Sequence, residues 1–328
     1  MKIVITGGGG FLGQRLARAL LARECSTDPA LGGLVSSLVL FDRDFPEVLA
    51  DPRISVVRGS VTDAGALEAL VDGADVVFHL AAVVSGQAEA DFDLGMEVNV
   101  QGSQTLLEAC RKSGNAPRVV FTSSVAVFGP ASEDAPLSVA PRSSYGAQKA
   151  IAELLLVEYT RRGFVDGVVL RLPTISVRPG LPNQAASSFA SGIVREPLCG
   201  KDTVCPVAPD LPLWLLSPRH AIANLVHAGD LPAAMLEANP IVDLPGLSVT
   251  VAQMVEALEA VAGSEPLEHI AWCLDPAVER IVASWPARWD DSRARGLGFT
   301  SDSSFDQTIR DFLEEMNAGP SAPLAAAC

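Results

Sequence analysis

The stretch Lys2-Ile3-Val4-Ile5-Thr6-Gly7-Gly8-Gly9-Gly10-Phe11-Leu12-Gly13 decides the fold. Its first five residues are a β-branched run long enough for one buried strand. Glycines then stand at 7, 10 and 13, and Leu12, Leu16 and Leu20 recur at helical spacing. Strand, glycine turn and helix in this order are what a dinucleotide pyrophosphate requires. Gly7 permits the tight turn, Gly10 lets backbone approach the phosphates, and Gly13 lets the helix pack close to the strand. The helix start at Phe11 and Leu12 offers free N–H groups and partial positive charge.

Working outward, Leu38-Val39-Leu40-Phe41-Asp42 is a second strand ending in a carboxylate. An acid there bonds ribose hydroxyls of NAD and repels the 2′-phosphate of NADP. The gap to it exceeds the usual ~20 residues, because residues 24–37 read as a polar insertion. Further strands are expected at 54–57, 75–80, 118–122 and 168–172, with helical patterns at Ala64–Val71, Val98–Lys112 and Tyr145–Arg162. This alternation predicts an α/β fold: a doubly wound parallel sheet of the Rossmann type, with right-handed crossovers. After Pro173 frequent prolines break the pattern, and a smaller C-terminal lobe is expected. The resulting division is a cofactor-binding domain over 1–177, with a segment near 213–235 returning to it. A substrate lobe takes 178–212 and 236–328, and the Ala/Pro-rich tail after Asn317 stands apart.

The chain has 328 residues, 48% of them hydrophobic, and a formal net charge of −15. That charge argues against nucleic acid and anionic membranes as partners. No apolar run reaches the ~18 residues of a membrane span, and a strand starting at residue 2 leaves no room for a signal peptide. The six cysteines and four histidines show no metal-ligand spacing, so no metal is expected. A cytoplasmic enzyme is the expectation.

Tyr145-Gly146-Ala147-Gln148-Lys149 puts a phenol and an ammonium one helical turn apart. Tyrosine, with a reference pKa near ~10, is a poor base at neutral pH. A cation beside it favours the phenolate, giving a group able to accept an alcohol proton. The fifth strand runs into Thr122-Ser123-Ser124, which places a hydroxyl at the carboxyl end of a central strand, where ligands bind in such sheets.

Taken together these motifs resemble the extended short-chain dehydrogenase/reductases, the NAD-dependent epimerase/dehydratase family. Residues 6–13 match TGxxGxxG, 123–129 match SSxxVYG with Phe128 for Tyr, 145–149 match YxxxK, and Asn99-Val100-Gln101-Gly102 matches the NVxGT-like helix start. The resemblance covers essentially the whole chain. It implies that Ser124 bonds the substrate oxygen, Tyr145 is the base, and Lys149 binds the nicotinamide ribose and tunes Tyr145. It lays His79, Leu80, Ala81, Ala82 and Asn99 along the cofactor, with Pro173 and Ile175 at the nicotinamide end. Ser60 and Val61 fall against adenine, where the family often has Asp with an aliphatic residue. It also implies a homodimer paired through the helices at 98–112 and 145–162 into a four-helix bundle.

Dehydratase members resemble T-D-E where this chain has Ser123-Ser124-Val125, so elimination of water is not expected. Gln184–Phe189 is small and poorly suited to gripping a nucleotide. Segments 192–198, 213–219, 243–250 and 275–286 resemble the branch that oxidises the 2-hydroxyl of four-carbon sugar acids such as D-erythronate to the 2-keto acid. A sugar-acid carboxylate needs a fixed cation, and planar guanidinium matches it bidentately. Arg219 is the first candidate and Arg178 the second. Ser85 and Asn183 are candidates for substrate hydroxyls, and Trp214 for the pocket rim. The competing readings are a nucleotide-sugar 4-epimerase and a non-catalytic NAD sensor.

Overall fold

The computed structural model describes residues 1–23, 34–46, 49–129, 137–236 and 239–318. Most of the insertion read at 24–37, and the tail beyond Ala318, lie outside them. β1 (Lys2–Thr6), β2 (Ser37–Asp42), β3 (Ile54–Arg58), β4 (Val76–His79), β5 (Arg118–Ser124), β6 (Asp166–Leu172) and β10 (Ile241–Asp243) form one sheet. Its order is β10-β6-β5-β4-β1-β2-β3, with every pair parallel. The doubly wound architecture read from the sequence is therefore present.

Alternation along the strands explains why both faces need helices. Ile3, Ile5, Leu38, Leu40, Phe78 and Val120 point to one face. There they meet α1 (Phe11–Ala22) and α8 (Pro218–Asp230). Val4, Val39, Phe41, Val77, Val119 and Phe121 point to the other. That face is covered by α2 (Ala64–Val71), α5 (Gly102–Ser113) and α6 (Ser144–Arg161). Between β4 and α5 the chain makes α3 (Ser85–Ala90), α4 (Phe92–Gly95) and a π-helical turn, Met96–Gln101. A single regular helix was expected from residue 98. The wider turn was not legible because hydrophobic spacing does not distinguish it from an α-helix.

The lobe has its own core around α7 (Phe189–Leu198), α10 (Val251–Ala262) and α13 (Phe305–Ala318). β7 (Thr174–Ile175), β9 (Pro212–Leu216) and β11 (Leu247–Thr250) make a three-stranded sheet in the order β11-β9-β7. β8 (Thr203–Cys205) pairs with β12 (Ile270–Trp272). The short helices α9 (Ala233–Leu236), α11 (Pro276–Val282) and α12 (Ser292–Gly296) complete the chain. Two C-terminal pieces leave the lobe. β10 extends the main sheet beside β6, and Ala294 and Phe299 pack into the core under α1 and α8. A three-residue strand is too short to read from periodicity, so residues 236–328 looked like lobe throughout.

Candidate active site

The glycine loop crosses the carboxyl ends of β1, β2 and β4. Gly7 has φ of +75°, and a Cβ there would lie 2.7 Å from the Ala81 nitrogen, so only glycine permits this approach. Gly10 caps α1 with no side-chain hydrogen bond. The first-turn N–H groups, including those of Phe11 and Leu12, are thus left facing outward as donors. Beside them is a cavity of about 300 Å³ that collects Gly7, Gly10, Asp42, Ser60, Val61, Leu80, Ala81 and Ala82. Phe41, Gly59 and Val83 also line it, without a sequence signal that singled them out.

Asp42 stands at the end of β2. One carboxylate oxygen accepts from the Gly9 N–H at 3.0 Å and the other from the Arg43 N–H at 2.7 Å. The acid is thereby held against the glycine loop on the cavity wall. The Ser60 hydroxyl bonds Thr62 at 2.8 Å, closing a local turn. Phe11 carries the Arg15 guanidinium over its ring at 4.6 Å. An uncapped helix start, a backbone open to close approach and an accepting carboxylate at the end of β2 are the set of groups that a dinucleotide fits.

Asn99 serves the cavity indirectly. From the π-helical turn its amide accepts from the Val83 N–H at 2.8 Å and donates to the Val83 carbonyl at 3.1 Å. It also donates to Gln148 Oε1 at 2.8 Å. It therefore ties the wall that follows Ala82 to α6. A π-turn at such a position is a common mark of function.

The catalytic candidates converge between β5 and α6. Ser124 ends β5 and its hydroxyl accepts from the Ala126 N–H at 3.2 Å. The Ser143 side chain caps α6 on the Gly146 N–H. A Cβ on Gly146 would lie 2.1 Å from the Ala126 carbonyl, so glycine lets the helix start seat against the turn after Ser124. Tyr145 is half-buried there, and its desolvation pushes the phenol up to about 12 while the Ser124 hydroxyl pulls the other way. Lys149 Nζ donates to the Thr122 carbonyl at 2.8 Å and lies 5.7 Å from the Tyr145 ring centroid. Burial lowers Lys149 to about 7, opposed by Glu153.

His79 lies beneath this group, its ring nitrogens bonded to the Thr6 hydroxyl at 2.7 Å and the Ser103 hydroxyl at 3.0 Å. Burial first, and the Lys149 charge second, push it down to about 3, so it is neutral. Gln148 keeps one buried amide nitrogen without a partner among the described residues.

The substrate candidates are less concentrated. Ser85 Oγ accepts from the Ala186 N–H at 3.0 Å, joining the start of α3 to the loop that holds Asn183. Asn183 Oδ1 accepts from the Ala185 N–H at 3.0 Å. The backbone of Arg178 is clamped, its N–H on Ser191 Oγ at 3.0 Å and its carbonyl on the Arg195 guanidinium at 2.6 Å. Burial, and then Arg195, push the Arg178 guanidinium below its usual range. That guanidinium has no hydrogen bond or acidic partner among the described residues. Arg219 stands apart from this group. It starts α8, and its guanidinium pairs with Asp311 of α13 at 3.4 Å. Trp214 is buried in β9, its ring 4.9 Å from that of Trp289, and both indoles donate to the Leu244 carbonyl. Pro173 and Ile175 follow β6 into the lobe sheet, where Ile175 pairs with Leu216.

Comparison with known proteins adds to this geometry. The model of the NAD dependent epimerase/dehydratase family matches residues 3–239. The chain is 55% identical to a D-erythronate dehydrogenase of Cupriavidus necator, over 96% of this chain and 98% of that protein. It is 47% identical to a D-erythronate dehydrogenase of Haemophilus influenzae, over 96% of this chain and 99% of that one. Among solved structures, a protein described as a nucleoside-diphosphate-sugar epimerase from Agrobacterium tumefaciens superposes with a TM-score of 0.89 at 42% identity, covering 97% and 95% of the two chains.

Proposed function

This chain belongs to the NAD dependent epimerase/dehydratase family, and we propose that it oxidises the 2-hydroxyl of a small sugar acid of the D-erythronate kind to the 2-keto acid. It is an NAD-dependent dehydrogenase in this reading. When bound, NAD supplies the acceptor for the hydride that leaves the carbinol carbon. Gly7, Gly10 and the N–H groups of Phe11 and Leu12 would hold its pyrophosphate, and Asp42 its adenosine ribose.

The observation that carries the reading is the meeting of Ser124, Tyr145 and Lys149 at the end of β5, beside the glycine loop and its cavity. Ser124 orients the substrate hydroxyl by hydrogen bonding to its oxygen. Tyr145 takes the hydroxyl proton as the carbonyl forms. A phenol held near 12 by desolvation cannot do this at neutral pH. The Lys149 ammonium supplies the charge that lowers it. Two relatives support the same reading, since the D-erythronate dehydrogenases each match 96% of this chain.

The division of labour follows the packing. The main sheet carries the cofactor and the lobe closes over the acid, which meets Arg178 and Asn183 of the lobe and Ser85 of α3. Ile151 and Leu154 on the outer side of α6 are 39% and 70% exposed. They support a homodimer that pairs α5 and α6 into a four-helix bundle. No helix among the described residues is long and apolar enough to cross a membrane, and we place the enzyme in the cytoplasm.

The test is NADH formation from NAD with D-erythronate, L-threonate, D-glycerate, hexuronates and UDP-galactose. NADH with D-erythronate and little with the others is the expected result. Interconversion of UDP-sugars without net NADH would instead establish the epimerase reading.

A further inference from the structure

Behind Lys149 lies a group of charges that the proposed reaction does not use. Glu153 is one helical turn further along α6 and is buried, as are Lys149 and Arg171. It accepts from the Ser123 hydroxyl, and Arg171 of β6 grips both its oxygens, through Nε at 2.9 Å and Nη2 at 2.7 Å. Arg171 Nη1 continues to Asp243 of β10 at 3.2 Å, and its guanidinium lies 4.8 Å from the Phe128 ring centroid. Lys149 and Glu153, four residues apart on one face, thus dock on consecutive residues of β5: the Thr122 carbonyl and the Ser123 hydroxyl.

We propose that Glu153 is a positioning residue for the active helix, fixing the seat of Lys149 on β5 and keeping its ammonium charged. The set holds two buried cations, Lys149 and Arg171, against the buried carboxylate of Glu153 and the part-exposed one of Asp243. Ions taken out of water persist only when paired. Arg171 is firmly bound to Glu153, so loss of the Glu153 charge leaves two cations in the same low-dielectric region.

Other charges near α6 do not take its place. His79 of β4 is neutral, and Tyr145 is a neutral phenol without cofactor. Glu89 of α3 accepts from the Ser144 N–H at the helix start. Glu108 of α5 is engaged with Arg111 and the Tyr159 hydroxyl further along. Asp243 lies beyond Arg171. The anion that faces Lys149 from its own helix is Glu153, and it acts to raise the Lys149 pKa. A neutral Lys149 no longer favours the phenolate, so Tyr145 would lose its proton only at higher pH.

The inference rests on the proposed roles of Tyr145 and Lys149, but one readout is independent of turnover. The chain has four lysines, so the titration of Lys149 is separable by ¹³Cε-lysine NMR, with Lys149→Met for assignment. Glu153→Gln should lower the Lys149 midpoint by about one pH unit or more and move the low-pH limb of kcat upward. Arg171→Met should raise the midpoint, because Glu153 then faces Lys149 alone. Glu153→Gln/Arg171→Met should return it close to wild type. Should Glu153→Gln fail to fold, the other two variants carry the test, since replacing both halves of a buried pair is tolerated. Midpoints that stay put, or that move in one direction in both single variants, would overturn the proposal. A wild-type protein that turns over no sugar acid defeats the functional reading, while the Lys149 titration still decides this one.

Discussion

The two walls of the proposed active site are built by opposite means. On the cofactor wall, backbone lies against backbone. A Cβ on Gly7 would stand 2.7 Å from the Ala81 nitrogen, and one on Gly13 would stand 2.2 Å from the Gly7 carbonyl. On the catalytic wall, polar side chains gather instead: half-buried Tyr145 with buried Lys149, Glu153, Arg171 and His79. The first wall discriminates by shape and tolerates no added atom. The second works through charge and tolerates isosteric change while losing its chemistry. Substitutions that respect shape should therefore separate turnover from cofactor binding.

The largest such separation is expected at Tyr145. Tyr145→Phe keeps the ring and removes the acid–base group, whose contribution is typically ~10²–10⁴-fold. Turnover of the sugar acid should fall by about that factor or more, with the NAD dissociation constant, read by calorimetry, nearly unchanged. Gly13→Ala is the reverse case. The clash is with backbone, so cofactor affinity and thermal stability should fall together. Retained NAD binding in Gly13→Ala, or near-normal turnover in Tyr145→Phe, would break the contrast between the walls.

Both walls were legible in the sequence to the extent that their signals are local. The glycine spacing at 7, 10 and 13 and the Tyr145–Lys149 interval are each set within one or two helical turns, and the folded chain brings both to the carboxyl ends of the central strands. What was not legible depends on partners remote in sequence. Glu153 meets Arg171 across a strand crossing, and Arg219 meets Asp311 92 positions later. Asn99 reads as a cofactor contact in the motif, but its amide is spent on Val83 and Gln148. No hydrophobic period announces a π-turn that aims it there. The lobe was the least legible part, since its strands are short and prolines replace periodicity.

A smaller effect is expected where the cofactor wall does use a charge. Asp42 is fixed by the Gly9 and Arg43 N–H groups and faces the cavity. Asp42→Ala should reduce the preference for NAD over NADP by about ten-fold or more, the loss of roughly one unfavourable charge contact. Comparable kcat/KM for the two cofactors in the wild type would remove Asp42 from the ribose site. On the lobe side, Arg178→Ala should raise KM for the acid by about ten-fold, leaving KM for NAD unchanged. Arg219→Ala should change it little, because Asp311 already occupies that guanidinium. The opposite ranking would return the carboxylate to Arg219.

His79 joins the two walls, and its effect should fall on stability and its pH dependence, with the smallest change in turnover. It bridges Thr6, at the end of the strand that enters the glycine loop, and Ser103 of α5. Burial holds it near 3 in the folded chain, against an ordinary value of about 6.5. Between those two pH values the unfolded chain binds the proton and the folded chain does not. Stability contributed by neutral His79 is therefore full above about pH 6.5 and is lost as pH falls toward 3. The slope is at most ~1.4 kcal/mol per pH unit for a single proton. His79→Asn keeps a polar group near Thr6 and removes the titration. Urea unfolding of the variant should give lower stability at neutral pH but a shallower decline below pH 6.5. An unchanged acid slope would mean that the decline belongs to carboxylates elsewhere, and that the junction between the walls is held by hydrogen bonds alone.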